Sequence, residues 1–190
     1  YRWVYQKNVT DFSQMTNLAK DFCADMASIF EFKLPKVKTQ LDSIDGTHKF
    51  LMEVEGGKNI ESVLIPNEDR LTLCVSSEVG CAMGCEFCFT SKMGLMRRLS
   101  VSEIVGQFIN AARSLTDGRR ITNIVFMGMG EPLDNVENVS KAIDVLHHQM
   151  GIGFGLRKIT VSTSGLVPQI PRVAQAGVRL AVSLNATTDE

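Results

Sequence analysis

The 190-residue sequence predicts an α/β fold, with parallel strands alternating with helices after a helical segment and a small antiparallel β piece. Three observations predict it. From residue 70 onward, short apolar runs alternate with longer segments whose apolar residues recur at three and four. The links between them are short, so the strands lie parallel, joined by right-handed crossovers. The unusual stretches all follow strands: the "GCAMGCEFC" loop, "GMGEP", "STSG" and "SLNA". Ligands gather at the carboxyl ends of strands in doubly wound sheets and in β/α barrels alike. Four strands cannot close a barrel, so a barrel here would be partial and would continue past residue 190.

The elements read in order as follows. In residues 1 to about 34, "TNLAKDFCADMASIF" spaces Leu18, Phe22, Met26 and Ile29 along one helix face, with Thr16 as N-cap. Cys23 on that helix reads as a small core residue. Residues 35–68 change to period two, and Asp45-Gly46 and Gly56-Gly57 are hairpin turn pairs, giving a three-stranded antiparallel extension. Residues 69–190 carry the βα units. "RLTLCVSS" is the first strand. The helix "SVSEIVGQFINAARSL" opens with Ser100 and Glu103 in capping-box spacing. "ITNIVFMGMGEP" reads as a strand buried on both faces through Met127. The helix "NVENVSKAIDVLHHQM" spaces Val136, Val139, Ile143, Leu146 and Met150. "RKITVSTSG", a short helix stopped by Gly177, and "VRLAVSLNA" complete the run.

Composition narrows the function classes. Hydrophobic residues at 44% and charged residues at 22% suit an ordinary globular protein. A net charge of −1 means that any nucleic-acid contact rests on local patches. No stretch approaches the roughly 18 apolar residues of a membrane helix, and "YRWVYQKNVT" lacks the apolar core of a signal peptide. Five cysteines without an export signal point to metal or redox chemistry and a cytoplasmic location. The start at Tyr1 and the end in "NATTDE", which resembles the cap of a helix, suggest a piece of a longer protein.

The spacing Cys81-x3-Cys85-x2-Cys88 is the strongest chemical signal. Structural zinc needs four protein ligands, and the nearest fourth thiol, Cys74, lies back in the preceding strand. A zinc module using Cys74 is therefore possible but awkward. A 4Fe–4S cluster suits three loop thiolates better, since its fourth iron stays open for a small ligand. Ala82 and Gly84 let the backbone wrap tightly around the sulfurs. "GMGEP" taken alone is only a Gly-containing turn.

The cysteine loop resembles the signature of the radical S-adenosylmethionine (SAM) superfamily, and "MGMGEP" resembles its glycine-glutamate-proline segment. That resemblance implies a partial (β/α) barrel, a 4Fe–4S cluster, and SAM bound to the open iron as the source of a 5′-deoxyadenosyl radical. The likeness extends further. "LTLCVSSEVGCAMGCEFCFTSKMG", "VFMGMGEPLDN", "ITVSTSGLVP", "VSLNA", "WVYQKNVTDFSQMTNLAKDF" and "ESVLIPNEDR" together are similar to the RlmN/Cfr family of dual-specificity RNA methyltransferases. This implies methylation of adenine carbon 2 in 23S ribosomal RNA and transfer RNA, with an external electron donor for the cluster. Carbon 2 is electrophilic and will not attack a methylsulfonium. The family therefore first methylates a cysteine near its C-terminus, and the radical abstracts hydrogen from that methyl group. Alternatives are the carbon 8 methylating relative, or a radical activase.

The resemblance assigns Cys81, Cys85 and Cys88 to the cluster. Gly130, Glu131, Ser162, Ser183, Leu184 and Asn185 match the SAM contacts, with Glu131 toward the methionine amino group. Glu61 matches the candidate proton acceptor, and Cys74 is a candidate for thiol exchange. The methyl-carrying cysteine has no counterpart and is expected beyond Glu190. Many members read Ser-Leu-His-Ala where this chain has "SLNA", so Asn185 keeps hydrogen-bonding capacity but carries no charge there. Lys92, Arg97 and Arg98 could meet phosphates. His147, His148, Arg119 and Arg120 read as surface residues.

Overall fold

The computed structural model describes residues 1–7 and 9–184. Its centre is one seven-stranded sheet in the order β1-β2-β3-β4-β7-β8-β9. Strands β1 (Lys36–Asp42), β2 (His48–Val54), β3 (Lys58–Asn67) and β4 (Arg70–Cys74) run antiparallel to one another. Strands β7 (Asn123–Phe126), β8 (Ile159–Thr163) and β9 (Arg179–Val182) continue from β4 in parallel. The antiparallel and parallel strands thus share one sheet through β4. A separate ribbon pairs β5 (Glu78–Val79) with β6 (Arg97–Arg98).

The sheet has one covered face. Helices α3 (Val101–Ser114) and α4 (Val136–His147) pack on Leu64, Leu73, Ile124, Phe126, Ile159 and Val161, all at most 1% exposed. The alternating residues point to the other face. The cross-strand row Val63, Cys74, Val125, Thr160 is only half-buried there, with Glu61 two residues from Val63 and Ser162 two residues from Thr160. A side-chain period of two therefore puts Glu61, Cys74 and Ser162 on the same, helix-free face.

Local structure departs from expectation at three places. Helix α1 (Lys20–Ile29) begins after Ala19, not at Thr16, and lacks a side-chain cap. Its buried residue is Cys23, while Phe22 and Ile29 stand 50% and 71% exposed, because nothing among the described residues covers that face. Strand β7 alternates: Ile124 and Phe126 are buried, Val125 is half-buried and Met127 is 51% exposed. A strand buried on both faces needs a layer on each, and among the described residues only one face carries helices. Met150 lies beyond the end of α4 and is exposed. Elsewhere the caps behave as their residues dictate. Ser100 and Glu103 form the full capping box of α3, and Gly177, at φ +68°, follows the short α5 (Ile170–Gln175).

Candidate active site

The cysteine loop leaves β4 and is closed by the β5–β6 ribbon. Met96 N donates to Val79 O at 2.9 Å, Leu99 N to Ser77 O at 3.0 Å and Cys81 N to Gly94 O at 3.3 Å. Gly80 makes the closure possible: it sits at φ +78°, and a Cβ there would overlap the Gly94 carbonyl. The one-turn helix α2 (Phe89–Lys92) starts at Cys88.

Three cysteines and the strand ends meet in one place. Cys81, Cys85 and Cys88 line a cavity of about 310 Å³ together with Met127, Gly130, Glu131, Ser162, Ser164 and Ser183. The cavity lies at the carboxyl ends of β4, β7, β8 and β9, where parallel sheets present ligands. Larger hollows of about 620 and 600 Å³ lie elsewhere, over the start of α4 and beside α1. They lack this convergence of thiols with strand-end groups, which outweighs size.

Glu131 is held from three sides. Its Oε2 accepts from Ser164 N at 2.8 Å and Ser164 Oγ at 3.0 Å, and its Oε1 accepts from Leu133 N at 3.1 Å. A carboxylate has about four lone-pair positions, so acceptor capacity remains for a cationic ligand group. Gly130 has φ +94°, and a Cβ on it would stand 2.5 Å from Glu78 Cβ. The flat turn is thus a steric requirement of the contact with the cysteine loop. Ser162 Oγ lies 3.3 Å from Ser183 Oγ, tying β8 to the chain after β9. Leu184 is 74% exposed and does not line the cavity, and Asn185 lies outside the described residues.

The two remaining candidates sit apart from the cavity lining. Cys74 is half-buried on β4, and burial pushes its thiol up from the ordinary value. Glu61 pairs with Lys49 Nζ at 2.7 Å on the helix-free face. Arg97 and Arg98 are engaged by carboxylates: Arg97 forks onto Glu103, and Arg98 reaches Asp134 at 2.9 Å. Lys92 lies 5.2 Å over the Phe89 ring. The phosphate reading of this basic run therefore loses its two arginines. Arg119 pairs with Asp117, His148 stacks on Tyr1, and His147 Nδ1 lies 2.8 Å from Phe154 O.

A buried polar scaffold behind the site was missed in the sequence. Gln107 on α3 accepts from Ser62 Oγ at 2.6 Å and from Ser76 N at 2.8 Å, and donates to Ser76 O at 2.9 Å. Ser76 Oγ donates to Glu61 O and accepts from Met129 N. Asn135 donates to Ser77 O and Leu99 O, both at 2.8 Å. The available signal was Gln107 itself, a polar residue at a position within the apolar stripe of α3. Glu78 is fully buried. Burial raises its carboxyl to about 7, helped by neighbouring Asp134 and opposed by the Glu131 N–H and Arg98.

The donor set fits an iron–sulfur cluster. Among the described residues, no three His, Cys, Asp or Glu side chains surround one point closely enough for a single metal ion. The three cysteines are instead spread around a cavity, and Cys74, the fourth ligand of the zinc alternative, lies outside its lining. Burial raises the Cys81 thiol, and the nearby Glu78, Glu131 and Cys85 raise it further. Among the described residues, the cavity lining gathers these acceptors with no lysine or arginine, which suits a cationic group that deprotonates thiols on binding.

Comparison with known proteins agrees. Residues 75–190 match the radical SAM superfamily, and residues 1–32 match the ribosomal RNA large subunit methyltransferase N-terminal domain. A dual-specificity RNA methyltransferase RlmN of Bdellovibrio bacteriovorus is 59% identical over 190 residues, covering 100% of this chain and 48% of its own length. The corresponding protein of Geobacter sulfurreducens is 48% identical over 191 residues, covering 100% of this chain and 52% of its own. A crystal structure of a radical SAM methyltransferase from Sphaerobacter thermophilus superimposes with a TM-score of 0.91 at 45% identity, over 98% of this chain and 56% of that one. The chain spans about half the length of the curated relatives it matches. Radical SAM and RlmN proteins use a 4Fe–4S cluster and SAM. Cysteine loop, strand-end turn and the match over residues 75–190 together show that the chain belongs to the radical SAM superfamily, and throughout its length it is similar to RlmN-type proteins.

Proposed function

We propose that the chain carries the SAM-cleaving half of an RNA methyltransferase that modifies adenine carbon 2 in 23S ribosomal RNA and transfer RNA. The observation that carries this reading is the single cavity shared by Cys81, Cys85, Cys88 and the strand-end groups Gly130, Glu131, Ser162 and Ser183. The three thiolates would hold the cluster, and Glu131 would accept from the SAM amino group. When bound, the cluster and SAM supply the radical that activates an otherwise inert carbon centre. The open strand ends, with exposed Met127, leave room for SAM beside the cysteines. The apolar helix-covered face keeps the sheet rigid behind them.

Glu61 and Cys74 are assigned roles on the helix-free face, as proton acceptor and exchange thiol. Lys49 Nζ, at 2.7 Å, orients the Glu61 carboxyl on that face. The electron donor is an external protein or small reductant, and the setting is the cytoplasm. No helix among the described residues is long and apolar enough to cross a membrane.

The test is anaerobic reconstitution of the chain with iron and sulfide, followed by reductant and SAM. About four irons per chain and release of methionine with 5′-deoxyadenosine are expected. One zinc per chain, with neither iron nor sulfide taken up, would end this reading.

A further inference from the structure

A buried carboxyl that no assigned role uses lies between the two halves of the site. Glu78 sits at 0% exposure on β5, three residues before Cys81. Its Oε2 accepts from the backbone N–H of Glu131 at 2.9 Å. Its own N–H, with that of Ser77, donates to Met129 O, so the loop and the turn are stitched from both sides. A Cβ on Gly130 would collide with the Glu78 Cβ, Cγ and N. Through β5–β6 pairing Glu78 also stands opposite Arg98, which holds Asp134.

We propose that Glu78 is a positioning residue that fastens the Gly130-Glu131 turn to the cysteine loop, so that the Glu131 carboxylate and the three cysteines are held at a constant separation. The inference rests on the cavity being the SAM site. A second observation explains the residue type. Glu78 Oε1 is buried and has no hydrogen-bond partner among the described residues. A bare carboxylate oxygen in that position is costly, whereas a neutral carboxyl can present its O–H toward the adjacent Asp134. The ionisable groups around it are Asp134 and Arg98 as a pair, Glu131 in the turn, and Cys81 in the loop. In this arrangement the uncharged carboxyl serves as an amide would: one acceptor toward Glu131 N, one donor toward Asp134. Glutamine has both groups at the same reach. Aspartate is one methylene short, and alanine has neither group.

The experiment compares the wild-type chain with E78Q, E78D and E78A, each reconstituted anaerobically. Iron content and thermal midpoint are measured first. SAM affinity follows by equilibrium dialysis, and again by the SAM concentration that half-shifts the electron paramagnetic resonance signal of the reduced cluster. E78Q is expected to match wild type within about twofold. E78A and E78D are expected to bind SAM about ten- to a hundredfold more weakly at unchanged iron content, as when a residue supporting a ligand is removed. If E78A does not fold, E78D against E78Q carries the same contrast. Unchanged SAM affinity in E78A or E78D overturns the proposal, as does E78Q losing affinity as far as E78A. If wild-type protein with a full cluster binds no SAM, the reading of the cavity itself falls, and this inference with it.

Discussion

Gly130 shows how one residue can carry a site. Its φ of +94° disfavours any side chain, and a Cβ would stand within 2.8 Å of three Glu78 atoms. Gly130→Ala is therefore expected to cost about 2–3 kcal/mol and to displace Glu131, read as a lower urea midpoint together with weakened SAM binding. An unchanged midpoint would show that the turn relaxes freely. The cysteines divide in the same way. Changing Cys81, Cys85 or Cys88 to serine should abolish or bleach the cluster absorbance. Cys74→Ser should leave it intact, since Cys74 does not line the cavity. If Cys74→Ser alone loses the iron, the four-thiol alternative returns.

Among the elements, α3 does two jobs along one side of its N-terminal half, where Glu103 and Gln107 lie one turn apart. Gln107 faces inward and satisfies Ser62 and both backbone groups of Ser76, directly before the cysteine loop. Gln107→Leu keeps the size but strands those groups, with an expected loss of about 2–3 kcal/mol in urea unfolding. Glu103 binds outward-lying Arg97 and the N–H groups of Ser100 and Glu55. Burial pushes the Glu103 carboxyl up, but Arg97 and these N–H donors outweigh it and bring it down to about 2 from 4.5. A carboxyl lowered on folding stabilises fully above its unfolded value and loses that contribution as the pH falls. The stability gap between wild type and Glu103→Gln should thus be whole above about pH 4.5 and shrink toward pH 2, followed by urea midpoints across that range. A gap independent of pH would mean that the ion pair contributes nothing.

At the scale of the whole molecule, the described residues form a sheet with one face packed and the other open. Helices α3 and α4 bury the first face, while Glu61, Cys74, Met127 and Ser162 line or flank the second. On the proposed function, none of the five cysteines corresponds to the methyl-carrying residue that the resemblance implies. The isolated 190 residues are therefore expected to cleave SAM without methylating RNA, checked by mass spectrometry of nucleosides after incubation with ribosomal RNA. Methyladenosine formed by this chain alone would overturn the assignment of the carrier.

Much of this was legible in the sequence because it depends on near neighbours in the chain. The three-cysteine spacing, the capping box at Ser100 and Glu103, the turn glycines and the period of each strand and helix are local properties, set by backbone sterics and side-chain type. So was the placing of the cysteine loop, "GMGEP" and "STSG" at one end of the sheet, which follows from parallel strands alone. What only the tertiary structure decided involves groups distant in sequence. Period two could not say that the second face of β7 would lack a layer, and so leave Met127 exposed. Nor could helix periodicity say that Phe22 and Ile29 would stay uncovered among the described residues. Arg97 and Arg98 looked available for phosphate until the folded chain brought Glu103 and Asp134 against them. Glu78 was one acidic residue among 21 until the fold buried it against the Glu131 N–H, 53 positions along the chain. Burial and charge pairing are sums over neighbours that only the assembled sheet supplies.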